Sequence, residues 1–212
     1  MKTTTQAIFD ELFTRYPALA VCRDDVGRAF DALLSAYRAG GKVLCCGNGG
    51  SASDCEHIVG ELLKKFKKYR VLPADVAAAL RAAGPDGVRL ADKLEGSLPA
   101  ISLVSQTGIL TAFANDVGWD EAYAQQLLGL AKPGDVLVAL STSGNSTNCV
   151  LAATLARALG VKTIGLTGAK GGRFKDVCDV CVCVPADETF KVQEFHLPVY
   201  HALCAMLEEE LF

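Results

Sequence analysis

Neither of the two common nucleotide-cradling patterns, G-x-G-x-x-G and G-x-x-x-x-G-K-[ST], occurs in the glycine-rich turns of this 212-residue chain. A dinucleotide therefore lacks its usual cradle. Positive charge is scarce too. Twenty-one Lys and Arg stand against 24 Asp and Glu, and the net charge of −3 gives no reason to expect a nucleic acid partner. No apolar stretch approaches ~20 residues without polar interruption, so no membrane span is expected. Met1 to Arg15 lacks the apolar core of a secretory signal. Histidines number only three, His57, His196 and His201. The one basic run, Lys64-Lys65-Phe66-Lys67-Lys68-Tyr69-Arg70, reads either as the solvated end of a helix or as a basic lip facing a substrate.

Cysteine, by contrast, is plentiful. The nine cysteines are an odd number and lie largely inside apolar runs, the pattern of reduced thiols packing as small hydrophobes in the cytoplasm. Cys178, Cys181 and Cys183 have C-x-x-C-x-C spacing, but no second pair of cysteines or histidines lies near enough in sequence to complete a tetrahedral site. Strand character around Val180–Val184 sends Cys181 and Cys183 to one face, where core packing is the favoured reading.

The length suits one domain over residues 1–212. Two helical pieces occupy the first forty residues, one from about Thr4 to Tyr16 and one ending near Arg38. From there the chain alternates. Val43–Cys46, Ala100–Val104, Val136–Leu140, Thr163–Leu166 and Val180–Val184 are near-continuously apolar, as strands buried on both faces of a parallel sheet must be. A long amphipathic helix runs from about Glu188 to Leu211. Its apolar positions Leu197, Tyr200, Leu203, Leu207 and Leu211 have little core left to cover, which points to burial against another subunit. The expected fold is a doubly wound α/β domain with helical additions at both ends. Residues 71–96 break the rhythm and read as an inserted helical flap, with a helix over Asp75–Ala83 and a turn at Gly84-Pro85-Asp86-Gly87.

Two strand ends carry anion-binding signatures. Gly47-Asn48-Gly49-Gly50-Ser51 follows the first strand and opens a helix; Ser141-Thr142-Ser143-Gly144-Asn145-Ser146 follows the third and opens another. Glycines admit close backbone approach, first-turn N–H groups have no intrahelical acceptor, and the helix dipole favours negative charge. Four hydroxyls beside such N–H groups suit a phosphate monoester. In a doubly wound sheet both loops fall on the ligand-binding edge. His57 and Glu61 are four apart on the first of these helices, and Gln193 and His201 eight apart on the last, so each pair shares a face. His196 could share that face as well. The two pairs could bind a divalent metal or supply a general acid and base, or each residue could be an ordinary helix-surface side chain.

Taken in order along the chain, these motifs, with Asn115-Asp116-Val117-Gly118 between them, resemble the sugar isomerase (SIS) family and, within it, the phosphoheptose isomerase branch. That resemblance implies a three-layer αβα sandwich around a five-stranded parallel sheet, and a homotetramer with active sites at subunit interfaces. It implies a phosphorylated sugar as substrate, most readily sedoheptulose 7-phosphate, isomerised through an enediol. Glu61 would be the proton-transferring base and His201 its acid/base partner. Asn48, Gly49, Ser51, Asn115, Asp116, Ser141, Thr142, Ser143, Ser146 and Gln193 would contact the sugar phosphate. His57, Glu61, Gln193 and His201 match positions that bind zinc in some members. Glu61 and His201 should then meet across the site, brought together by the sheet and its oligomer. A second reading is a non-catalytic SIS protein, a phosphosugar sensor or a relative of the proteins that associate with the replication initiator DnaA. Such proteins lack, as a class, the acid and histidine present here. The segment 71–96 replaces a connection that is short in the family.

Overall fold

The computed structural model describes residues 1–212. Five strands, β1 (Val43–Gly47), β2 (Ala100–Ser102), β3 (Val136–Leu140), β4 (Lys162–Thr167) and β5 (Val180–Cys183), form one parallel sheet in the order β2-β1-β3-β4-β5. Central strands with solvent on neither face must be apolar on both, and every residue of β1 and β3 is buried. Their register sets Val43 opposite Val136 and Gly47 opposite Leu140.

Helices cover both faces. Alternation along the strands sends Val43, Cys45, Val136 and Val138 to one side, where they meet α1 (Thr3–Arg15), α2 (Arg23–Arg38), α3 (Gly50–Leu63) and α10 (Thr189–Leu211). Leu44, Cys46, Leu137 and Ala139 face α6 (Thr107–Asp116), α7 (Ala122–Leu130), α8 (Thr147–Ala158) and the short α9 (Phe174–Val177). This is the three-layer αβα sandwich. A 3-10 helix, Pro17–Cys22, joins α1 to α2.

The sheet order changes direction between β1 and β3, and ligands of doubly wound folds sit beyond the strand ends at that point. The two anion-loop candidates follow these two strands.

Two expectations need correction. The apolar side chains of α10 do not wait for a partner: Tyr200, Leu203 and Leu207 are buried in this chain's own core, Leu211 packs against it, and only Leu197 is exposed. They face α1, α2 and α3, so the long helix is a full member of one layer. Second, the turn at Gly84-Pro85 opens a further helix, α5 (Pro85–Lys93), after α4 (Ala74–Ala82). Proline suits the first helical position, where its missing N–H costs nothing. Cys178, Cys181 and Cys183 are half-buried, with Cys178 and Cys181 packed against the core on the α8 side, and Cys181 and Cys183 share a face with their sulfurs 3.7 Å apart.

The hairpin α4–α5 stands apart from the body. Apart from Gly87 neither helix buries a residue, and a Cβ on Gly87 would come within 1.8 Å of the Leu80 carbonyl oxygen, so the two helices pack closely on each other. Its two ends meet: Gly96 N–H donates to Arg70 O at 3.0 Å and Leu98 N–H to Leu62 O at 3.0 Å.

Candidate active site

The loop after β1 turns at Gly49, whose φ of +57° favours glycine, and enters α3. Asn48 spends its side chain on structure. Its amide and that of Asn148 exchange hydrogen bonds of 2.9 and 2.8 Å, which clamps the first loop to the start of α8. Tyr123 O–H donates to Gly47 O at 2.5 Å from behind. Ser51 is buried in the first turn of α3, while Gly49 and Gly50 are exposed.

The loop after β3 is tied internally. Ser141 and Ser146 hydroxyls are 2.8 Å apart, and Ser146 N–H donates to Ser141 Oγ at 3.3 Å. Asn145 N–H donates to Ser143 Oγ at 3.2 Å, and Arg173 N–H to Asn145 Oδ1 at 3.0 Å. Gly144 has φ +68°, and a Cβ there would lie 1.9 Å from Gly171 O, so only glycine fits. This holds Ser143 outward, exposed, at the mouth of α8. Its N-terminal N–H groups and those of α3 thus open side by side on one edge of the sheet.

Two to three turns further along α3 lie His57 and Glu61, with His57 Nε2 3.4 Å from Glu61 Oε1. The same Nε2 is 3.4 Å from Nε2 of His201 on α10. Glu61 and His201, 140 positions apart, therefore meet at one atom within a single chain. The packing of α3 on α10 is sufficient; no second subunit is needed to join them. Lys64 Nζ approaches Glu61 Oε2 at 3.2 Å. Phe66 stacks obliquely on His201, ring centres 5.3 Å apart. Burial, and then the neighbouring His57, lower the His201 imidazole from its ordinary range.

Gln193 does not touch this cluster. A Cβ on Gly50 would fall 2.7 Å from Gln193 Nε2, so its amide rests on the first turn of α3, nearer the anion loops. His196 points into the core, fully buried with neither ring nitrogen hydrogen-bonded to a side chain, and burial pushes its pKa down to about 4. Asn115 and Asp116 sit exposed at the end of α6, bonded to each other at 2.9 Å. A cavity of about 320 Å³ opens behind His201, between α1, α10 and Phe66–Lys67; neither anion loop lines it.

His57, Glu61 and His201 are donors of the chemical kind zinc takes, but they do not form a ready three-donor group. Ligand atoms at ~2.0–2.1 Å around a tetrahedral zinc stand about 3.3–3.4 Å apart, the length of both edges that meet at His57 Nε2. Imidazole and carboxylate are zinc's usual donors. The three side chains stop short of a closed cage, with Glu61 also turned toward Lys64.

Sequence reasoning missed two features here. The basic run is not a helix end: α3 stops at Leu63, and residues 66–68 wrap the Glu208 carboxylate, which accepts their three backbone N–H groups at 2.8–2.9 Å. Arg70, fully buried, donates Nε to Glu208 at 2.8 Å and its guanidinium to Leu62 O and Glu61 O at 2.5 and 2.7 Å. It secures the end of α3 that carries Glu61. The other feature is Tyr200, whose hydroxyl lies 3.0 Å from His57 Nδ1.

The SIS-domain family matches residues 18–99 and 91–168. The phosphoheptose isomerase of Akkermansia muciniphila is 39% identical over 93% of this chain and 91% of its own length. That of Rhodospirillum rubrum is 40% identical over 91% and 89%. The chain belongs to the phosphoheptose isomerase family. The solved phosphoheptose isomerase of Neisseria gonorrhoeae superimposes with a TM-score of 0.74 at 30% identity, covering 96% of each chain. Both family membership and fold were expected from the motifs.

Proposed function

We propose that the protein interconverts sedoheptulose 7-phosphate and an aldoheptose 7-phosphate by proton transfer between C1 and C2. The carrying observation is the convergence of Glu61 and His201 on one atom, along the same helix whose start forms half of the anion site. Relatives named phosphoheptose isomerase support the substrate class.

The chemistry follows from that arrangement. The phosphate binds between the N-termini of α3 and α8, with Ser51, Ser141, Thr142, Ser143 and Ser146 as hydroxyl donors and Asn48 and Gly49 shaping the turn. From Ser51 to His57 the helix rises about 9 Å, and to Glu61 about 15 Å. A sugar phosphate held at the loops thus presents its far end to the acid and base only if its carbon chain is long, which favours seven carbons over five. Glu61 takes a proton from C1 and the electron pair moves to the C2 oxygen, giving an enediolate. His201 protonates that oxygen and accepts the proton of the C1 hydroxyl, and Glu61 returns a proton to C2. Binding energy from the remote phosphate orients this end. Gln193, between loops and base, suits a sugar hydroxyl; Asn115 and Asp116, exposed at the end of α6, suit a contact completed by a neighbouring subunit.

His57, Glu61 and His201 would hold a zinc, with Gln193 as a further candidate ligand. When bound it would polarise the carbonyl. We also propose a homotetramer: Val21, Tyr69, Val71, Val117 and Phe190 are exposed apolar side chains, and the anion loops open to the surface. A cytoplasmic location fits nine unpaired cysteines. Incubation with ketose phosphates of five to seven carbons, read by NMR for the aldose signal, tests the activity. Turnover of the seven-carbon substrate supports it; no aldose from any of them refutes it.

A further inference from the structure

His57 touches more than its ligand-like neighbours. Its Nε2 faces Glu61 and His201, while its Nδ1 lies 3.0 Å from Tyr200 O–H on α10, and that hydroxyl donates to Asp54 Oδ1 at 3.1 Å. Asp54 stands one turn before His57 on α3. Its second oxygen, Oδ2, is buried without a partner, so Tyr200 supplies the only hydrogen bond the carboxylate receives.

We propose that Asp54 and Tyr200 are positioning residues that hold a hydrogen on Nδ1 of the His57 imidazole and fix the ring with Nε2 turned toward Glu61, His201 and the group they act on. A phenol has one proton to give. Were it directed at His57, Asp54 would be left half-buried with no donor at all and would face an oxygen lone pair at 3.1 Å, which is repulsive. Directed at Asp54, it leaves the Tyr200 oxygen as an acceptor, and the contact with His57 becomes a hydrogen bond only if Nδ1 carries hydrogen. Fixing the far nitrogen of a histidine by a donor–acceptor chain ending in a carboxylate is how proteins hold such rings in one tautomer and orientation.

The inference rests on the proposed site but not on its activity. In metal-free protein with ring-labelled histidine, proton–nitrogen correlation spectra should show His57 as Nδ1–H. Tyr200→Phe, which keeps the buried ring, should move it to Nε2–H or a mixture and weaken zinc binding about 10–100-fold in chelator competition, with Tm within a few degrees. Asp54→Ala should do the same, and decides the matter should the tyrosine variant fail to fold. A His57 tautomer unchanged in the folded variant overturns the relay, as does zinc affinity within twofold of wild type where zinc binds. A tautomer shift in a protein that turns over no sugar phosphate would uphold the relay while removing the isomerase reading.

Discussion

Glu208→Ala tests whether the end of α3 is held as the geometry says. The carboxylate is 1% exposed and accepts four hydrogen bonds, from the backbone of Phe66, Lys67 and Lys68 and from Arg70, itself fully buried. Removing it strands a buried guanidinium and three N–H groups. Breaking a buried pair from one side costs about 3–5 kcal/mol. In a chain of this size each kcal/mol moves Tm by about 2–4 °C, so a fall of about 6–20 °C is expected in thermal melts followed by circular dichroism. Arg70→Met with Glu208→Leu, which removes both charges, should lose much less than the two single changes together. Burial alone would raise the Glu208 carboxyl, but the Phe66 and Lys67 N–H groups and the Arg70 guanidinium outweigh it and hold it below its ordinary range. Its stabilisation is therefore complete above the unfolded value of about 4.3 and fades as pH falls through the lower folded value. The gap between wild type and Glu208→Ala should accordingly be full at pH 7 and shrink below about pH 4. A variant melting within about 2 °C of wild type at pH 7 would refute the strut.

Glu61→Gln keeps shape but removes basicity, and turnover should drop at least ~100-fold while phosphate-end binding survives; a wild-type rate would mean the carboxylate is not the base. Ser143→Ala removes one exposed donor to a charged phosphate, worth about 1.5 kcal/mol, so calorimetric affinity for the sugar phosphate should fall about tenfold; unchanged affinity would place the phosphate elsewhere. Replacing residues 73–94 with a short glycine-serine turn should leave Tm within a few degrees, because the hairpin ends already meet at Arg70–Gly96 and its helices bury nothing against the body; a collapse in stability would show that the hairpin packs in solution.

What the sequence made legible was whatever has a short period or a local chemistry. Uninterrupted apolar runs located all five strands, and glycine and serine clusters located both loops at the switch in strand order. The i, i+4 spacing on α3 set His57 beside Glu61, whereas the i, i+8 spacing on α10 put Gln193 with His201 although the Gln193 amide rests on the first turn of α3, away from that histidine. What stayed hidden depended on partners far along the chain. Arg70 looks like the last of a row of solvated lysines, and only Glu208, 138 residues on, makes it a buried strut. Tyr200 reads as one more apolar position on a helix, since its hydroxyl gains meaning only from Asp54 and His57 on another. The surplus apolar face assigned to α10 was an error of accounting: α1 and α2 are layers of core, not additions outside it.

The isomerase reading meets its most direct test in one NMR experiment, sedoheptulose 7-phosphate incubated with the protein in deuterium oxide. Proton transfer through an enediol by a carboxylate that exchanges with solvent predicts an aldoheptose 7-phosphate carrying deuterium at C2, abolished by Glu61→Gln. Aldose formed without any deuterium, or labelled aldose formed equally by Glu61→Gln, would contradict it.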